Sequence, residues 1–139
     1  MNICHLTFRN MSKGKILVMD DEAVIRRALE RILKMLDYEA VIVVDGKAVI
    51  EAYQKAVADG RPFDVLILDL RVNSGMNGQD AASALKKIDP SVKAVVSSGD
   101  PTDPAMVDPS AHGFVAAVAK PYEMQDLAKI LEETIKNDK

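Results

Sequence analysis

The chain predicts an α/β fold, a three-layer sandwich in which a five-stranded parallel sheet is covered by five helices, and three observations predict it. Short apolar runs alternate strictly with segments whose apolar residues recur at helical spacing, and strands separated by helices run parallel through right-handed crossovers. Ile16 to Met19 and Val65 to Leu68, in the first and third strand candidates, are continuously apolar, as strands buried on both faces of a sheet are. The 139 residues, 48% of them hydrophobic, are enough for one domain to bury a core without metal or disulfide support. Residues 1–13 read as a flexible leader and 14–139 as that domain.

Lys15 to Met19 is the first strand, stopped by Asp20-Asp21. From Glu22 to Leu36, Val24, Ile25, Ala28, Leu29, Ile32, Leu33 and Leu36 form an apolar helical stripe, with Asp21 as the expected cap. Tyr38 to Val44 is β-branched and apolar, giving the second strand. Asp45-Gly46 turns the chain into a helix carrying Val49, Ala52, Tyr53, Ala56 and Val57, which Gly60 and Pro62 stop. Phe63 to Leu68 is the third strand and runs into Asp69. After the loop Arg71 to Asn77, Gly78 leads into a helix over Asp80 to Ile88, ended by Asp89-Pro90. Val92 to Val96 predicts the fourth strand, followed by Ser97-Ser98-Gly99-Asp100. Asp103-Pro104 reads as an N-cap with Pro at the first helical position, and Pro109 predicts that this helix is short or distorted. Phe114 to Ala119 is the fifth strand, closed by Lys120-Pro121, and Glu123 to Lys136 is a last amphipathic helix.

The composition excludes several function classes. A formal net charge of -3 disfavours direct binding of nucleic acid, which needs a basic face. A lone Cys4 makes no intramolecular disulfide, and Cys4 with His5 lacks the further ligands of a zinc site. Met1 to Lys13 lacks the sustained apolar core of a signal peptide or membrane span, so the expected address is the cytoplasm, without membrane contact.

In an open parallel sheet the loops after the strands share one edge, and ligands bind where the strand order reverses. Asp20-Asp21, Asp69, Ser97-Ser98 and Lys120 follow four different strands, whereas the second strand ends in Asp45-Gly46 without matching chemistry. An order 2-1-3-4-5 makes those four ends converge. Each of these groups alone has an ordinary reading, as strand stop, loop acid, turn or solvated lysine; their convergence is what points to a site. Carboxylates gathered there repel one another unless a cation compensates, and Asp20, Asp21 and Asp69 suit Mg²⁺, which keeps several waters and takes phosphoryl oxygen. Asp69 is then the candidate nucleophile toward phosphorus. Lys120 would neutralise the phosphoryl group, and Ser98 would hold one of its oxygens.

In order and spacing, Asp20-Asp21, Asp69, Ser98 and Lys120-Pro121, with the phrases Ile-Leu-Val-Met-Asp-Asp-Glu (16–22) and Ala-Lys-Pro-Tyr (119–122), resemble the receiver domains of two-component response regulators over Lys15 to about Lys136. The resemblance implies a flavodoxin-like fold and a phosphoryl group taken onto Asp69 from a sensor histidine kinase or a histidine phosphotransfer protein. It implies Mg²⁺ held by the side chains of Asp21 and Asp69, the backbone carbonyl of Arg71 and, through water, Asp20. It favours Ser98 over Ser97 as the phosphoryl-contacting hydroxyl, because the family's hydroxyl residue usually stands 22 positions before its lysine. It also makes Lys120-Pro121 a cis peptide.

The loop Arg71 to Gly78 lacks the family's usual proline and is similar to that of receivers attached to hybrid sensor kinases. Ala117 stands where the family has an aromatic switch residue three before the lysine, leaving the output partner open. The output is conformational signalling or service as a relay or sink, and a homodimer is compatible with the class. Arg71 and Asp100 are expected to pair across the mouth of the site and slow hydrolysis. A haloacid-dehalogenase-like phosphatase, the enzyme alternative, wants a second Asp where Arg71 stands, so a phosphoacceptor rather than a turnover enzyme is expected. A phosphorylation-independent pseudo-receiver is disfavoured by the complete acidic set. A flavin-binding relative is disfavoured because no phosphate loop follows the first strand.

Overall fold

The computed structural model describes residues 12–73 and 75–136. Cys4, His5 and most of the expected leader lie outside those residues, as does Ser74 of the loop after the third strand. Strands β1 (Lys15–Met19), β2 (Glu39–Val43), β3 (Val65–Asp69), β4 (Ala94–Ser98) and β5 (Ala116–Ala119) form one parallel sheet in the order β2-β1-β3-β4-β5. Among the described residues the strands alternate with α1 (Ala23–Met35), α2 (Gly46–Ala58), α3 (Gly78–Ile88), α4 (Pro104–Val107) and α5 (Met124–Lys136); a 3₁₀ turn, Pro109–His112, follows α4. The expected α/β architecture and strand order are both present.

The uninterrupted apolar runs divide themselves between two cores. Successive strand side chains point to opposite faces. Leu17, Met19, Leu66, Leu68 and Val96 therefore meet Val49, Tyr53, Ala81 and Leu85 of α2 and α3. Ile16, Val18, Ile67 and Val95 meet Leu29 and Leu33 of α1 and Leu127 and Leu131 of α5 on the other face. Every residue of β3, the middle strand of the five, is buried.

Several local expectations are corrected. Strand β4 lies two residues further along than Val92 to Val96, because Val92 closes a turn onto the Asp89 carbonyl, while Ser97 and Ser98 are laddered against Asp69 and Ala119. Asp21 does not cap α1. The N-cap position is held by Glu22 without a side-chain bond, and Asp21 instead accepts the Asn73 amide at 2.7 Å. Helix α3 begins at Gly78 rather than Asp80, capped by Asn77, whose side chain accepts the Asp80 amide. The expected break around Pro109 is present: α4 ends at Val107 and the chain re-forms as a 3₁₀ turn.

Candidate functional site

The parallel register brings the chemistry together. Met19 pairs with Leu68, Asp69 with Ser97, and Ser98 with Ala119, so the residues at the carboxyl ends of β1, β3, β4 and β5 stand in one row. They open onto a cleft of about 370 Å³ lined by Asp21, Glu22, Asp69, Arg71, Asn73, Ser98, Gly99, Asp100 and Lys120. Ser98 lines it, whereas the Ser97 hydroxyl shares a hydrogen bond with that of Tyr122. The Lys120-Pro121 peptide is cis.

Lys120 reaches back between two acids, with Nζ 2.7 Å from Asp20 Oδ2 and 3.0 Å from Asp69 Oδ2. Asp20 is fully buried and Asp69 is 3% exposed. Asp20 Oδ1 accepts the Glu22 amide at 2.9 Å, and Asp69 Oδ1 accepts the Arg71 amide at 3.3 Å, which sets the Arg71 backbone beside the Asp69 carboxylate. One ligand oxygen from each of Asp20, Asp21 and Asp69 lies within 4.8 Å of the others.

Burial pushes the Asp69 carboxyl above the ordinary carboxylate value; the charge of Asp20 adds to this, while the Lys120 ammonium and the Arg71 amide oppose it. For Lys120, burial works against the ammonium, but bonds to Asp20 and Asp69 outweigh it and hold the group above the ordinary lysine value. Lys120 is thus well served by two carboxylates, and neither carboxylate has an ammonium to itself. Asp20 Oδ2 is enclosed, and the close partner it has among the described residues is the Lys120 ammonium that it shares with Asp69. Three carboxylates against one ammonium leave an excess of negative charge, and a buried oxygen is left with lone-pair capacity. A hard divalent cation fits this donor set.

Two residues were not singled out as site residues in the sequence. At Gly78, a Cβ would stand 2.4 Å from the Asp69 carbonyl oxygen, so only glycine lets the start of α3 lie against the end of β3. In sequence Asp103 reads only as a cap. It makes no side-chain cap bond; its Oδ1 accepts Arg71 Nη2 at 2.6 Å and its Oδ2 accepts the Ser98 hydroxyl at 2.7 Å. The expected Arg71–Asp100 pair exists at 3.7 Å, but Asp103 is the nearer partner of that guanidinium.

A doubly wound parallel sheet with an acidic cluster and a lysine at its carboxyl edge has the architecture of a phosphoacceptor module. The chain belongs to the response regulator receiver domain family, whose model matches residues 16–132. It is 27% identical over 123 residues to the chemotaxis protein CheY of Thermotoga maritima, covering 88% of this chain and 98% of that protein. It is 30% identical over 128 residues to the DNA-binding transcriptional regulator NtrC of Azospirillum brasilense, covering 92% of this chain but only 25% of that regulator. The receiver domain of a sensor histidine kinase from Pseudomonas aeruginosa, solved with a magnesium ion coordinated in its active-site cleft, superposes with a TM-score of 0.74 at 22% identity, covering 89% of this chain and 98% of that one. The chain is accordingly a receiver domain of two-component signalling, with the flavodoxin-like fold. Among the described residues no helix is long and apolar enough to cross a membrane.

Proposed function

We propose that Asp69 accepts a phosphoryl group from a sensor histidine kinase or a histidine phosphotransfer protein, in the cytoplasm, within a receiver unit spanning residues 14–139 that follows a leader of residues 1–13. The observation that carries this reading is the buried Asp69 carboxylate at the centre of the row of strand ends, facing Lys120 at 3.0 Å. An oxygen of Asp69 attacks phosphorus as the donor's bond to phosphorus breaks, and the leaving group departs with the electron pair. Lys120 balances charge on the transferred group, and the Ser98 hydroxyl donates to one of its oxygens. Asp21 and Asp69, with Asp20 through water and the Arg71 backbone carbonyl, would hold Mg²⁺, which supplies neutralisation of the phosphoryl charge. The magnesium in the Pseudomonas aeruginosa receiver supports that choice of ion.

Incubation with acetyl phosphate and MgCl₂, followed by intact mass and peptide mapping, tests the reading. One equivalent on Asp69, absent in Asp69→Asn, is expected. Undiminished labelling of Asp69→Asn would overturn it, and sustained turnover of a chromogenic phosphate ester would favour the phosphatase alternative.

A further inference from the structure

Asp103 occupies the N-cap position of α4 yet caps nothing, and its carboxylate is buried within the protein, the residue being 7% exposed. Both of its oxygens are engaged by groups that line the cleft, Ser98 Oγ at 2.7 Å and Arg71 Nη2 at 2.6 Å. It therefore offers these two donors what a phosphoryl group would offer them: oxygens of an anion, at charge-assisted hydrogen-bond distance.

A serine hydroxyl has one proton to donate. Ser98 Oγ already accepts the Asp100 amide at 3.0 Å, and its proton goes to Asp103. It cannot donate to Asp103 and to a group on Asp69 at once. A phosphoryl group carries about -1.5 to -2 charge and three strong acceptor oxygens, against the single charge of a carboxylate, so it is the better acceptor. Arg71, with five donors, can bridge both anions; the exclusive contact is the one from Ser98.

We propose that Asp103 is a positioning residue that holds the Ser98 hydroxyl while Asp69 is unmodified and loses it when Asp69 is phosphorylated, which loosens the first turn of α4 by leaving the Asp103 carboxylate tied to the site through Arg71 alone. The proposal rests on the reading of Asp69 as phosphoacceptor. The amides of Met106 and Val107 both donate to the Asp103 carbonyl, at 2.9 and 3.0 Å, so a shift of Asp103 is a shift of α4. This gives the chain a route from the site to its surface that does not need an aromatic side chain at Ala117. In the transfer from acetyl phosphate, the oxygen–phosphorus bond to Asp69 forms, the acyl oxygen–phosphorus bond breaks and acetate leaves with the electron pair. The Ser98 proton stays on Oγ and only changes acceptor.

Hydrogen exchange on the full chain, with and without beryllofluoride and MgCl₂, reads the loosening directly. In the unsubstituted protein the Met106 and Val107 amides should exchange roughly fivefold faster with the phosphoryl mimic, the loss of about one hydrogen bond's worth of protection. In Asp103→Ala they should be fast without the mimic and nearly insensitive to it. Labelling of Asp69 by acetyl phosphate should be about fivefold faster in Asp103→Ala, and that gain should vanish in the Ser98→Ala background. Asp103→Asn, which keeps an acceptor for Ser98, should stay close to the unsubstituted protein in exchange at α4, and it serves as the test variant if the alanine form does not fold. Unchanged exchange at Met106 and Val107 on adding the mimic, or no gain in labelling rate for Asp103→Ala, would overturn the role of Asp103. Labelling that persists in Asp69→Asn would instead overturn the phosphoacceptor reading beneath it.

Discussion

At the level of single residues, charge accounting decides what the cleft accepts. Asp21 is the acid of the cluster that is not fully buried, and it is tied down by the Asn73 amide rather than by Lys120. Asp21→Asn should therefore leave the apo protein folded while weakening Mg²⁺ about tenfold or more. Thermal melts over a MgCl₂ titration check this, because a ligand bound only by the folded state raises the midpoint with its concentration. An identical midpoint rise in the variant would remove Asp21 from the ligand set. Tyr122 offers a separate test by pH. Burial pushes its hydroxyl up to about 12 from the ordinary 10.0, so the folded state holds this proton longer than the unfolded chain does. Stability is then fully present below pH 10 and is lost as pH rises through the folded value, on the order of 2 kcal/mol at the end of that window. Tyr122→Phe should lack that share of the alkaline loss in urea titrations, while costing about 1–3 kcal/mol at neutral pH because the buried Ser97 hydroxyl loses its partner. Parallel pH profiles for the two proteins would contradict the assignment.

At the level of elements, the approach of α3 to β3 sets the position of Asp69. Gly78→Ala would drive a methyl into the Asp69 carbonyl, and either the helix start or the strand end has to move. A loss of about 1–3 kcal/mol in urea unfolding is expected, together with slower labelling of Asp69; a variant as stable and as quickly labelled as the parent would show the contact to be soft. Element identity was legible in the sequence because period and punctuation agreed: Ile25, Leu29, Ile32, Leu33 and Leu36 of the α1 stripe face the core, and the Asp45-Gly46 turn and Pro109 act where pattern placed them. Only Val24 and Ala28 of that stripe lie exposed at the surface. Boundaries were less legible where a polar residue sits inside a ladder. Ser97 and Ser98 look like a loop in sequence, yet they are buried strand residues because their hydroxyls are satisfied by Tyr122 and Asp103. Of the candidate residues read from sequence, the three carboxylates, Lys120 and Ser98 do meet at the carboxyl edge. The Asp103 contact was not legible, since an Asp before Pro reads as an ordinary cap until tertiary packing aims its side chain inward. Gly78 was visible only as a helix start, because close approach of two backbones leaves no mark on local pattern.

At the level of the whole molecule, the sheet separates two cores that share strands but few side chains. Ile67 faces α1 and α5, and Leu85 faces β3 and β4 from the other side. Ile67→Val should cost about 0.5–1.5 kcal/mol and Leu85→Ala about 2–5 kcal/mol, and the double variant should lose their sum to within about 0.5 kcal/mol, since the two belong to separate core clusters. Urea unfolding of the four proteins closes the cycle. Additivity would mean that repacking one core is not felt in the other. An interaction energy above about 1 kcal/mol would show that the cores are coupled across the strands.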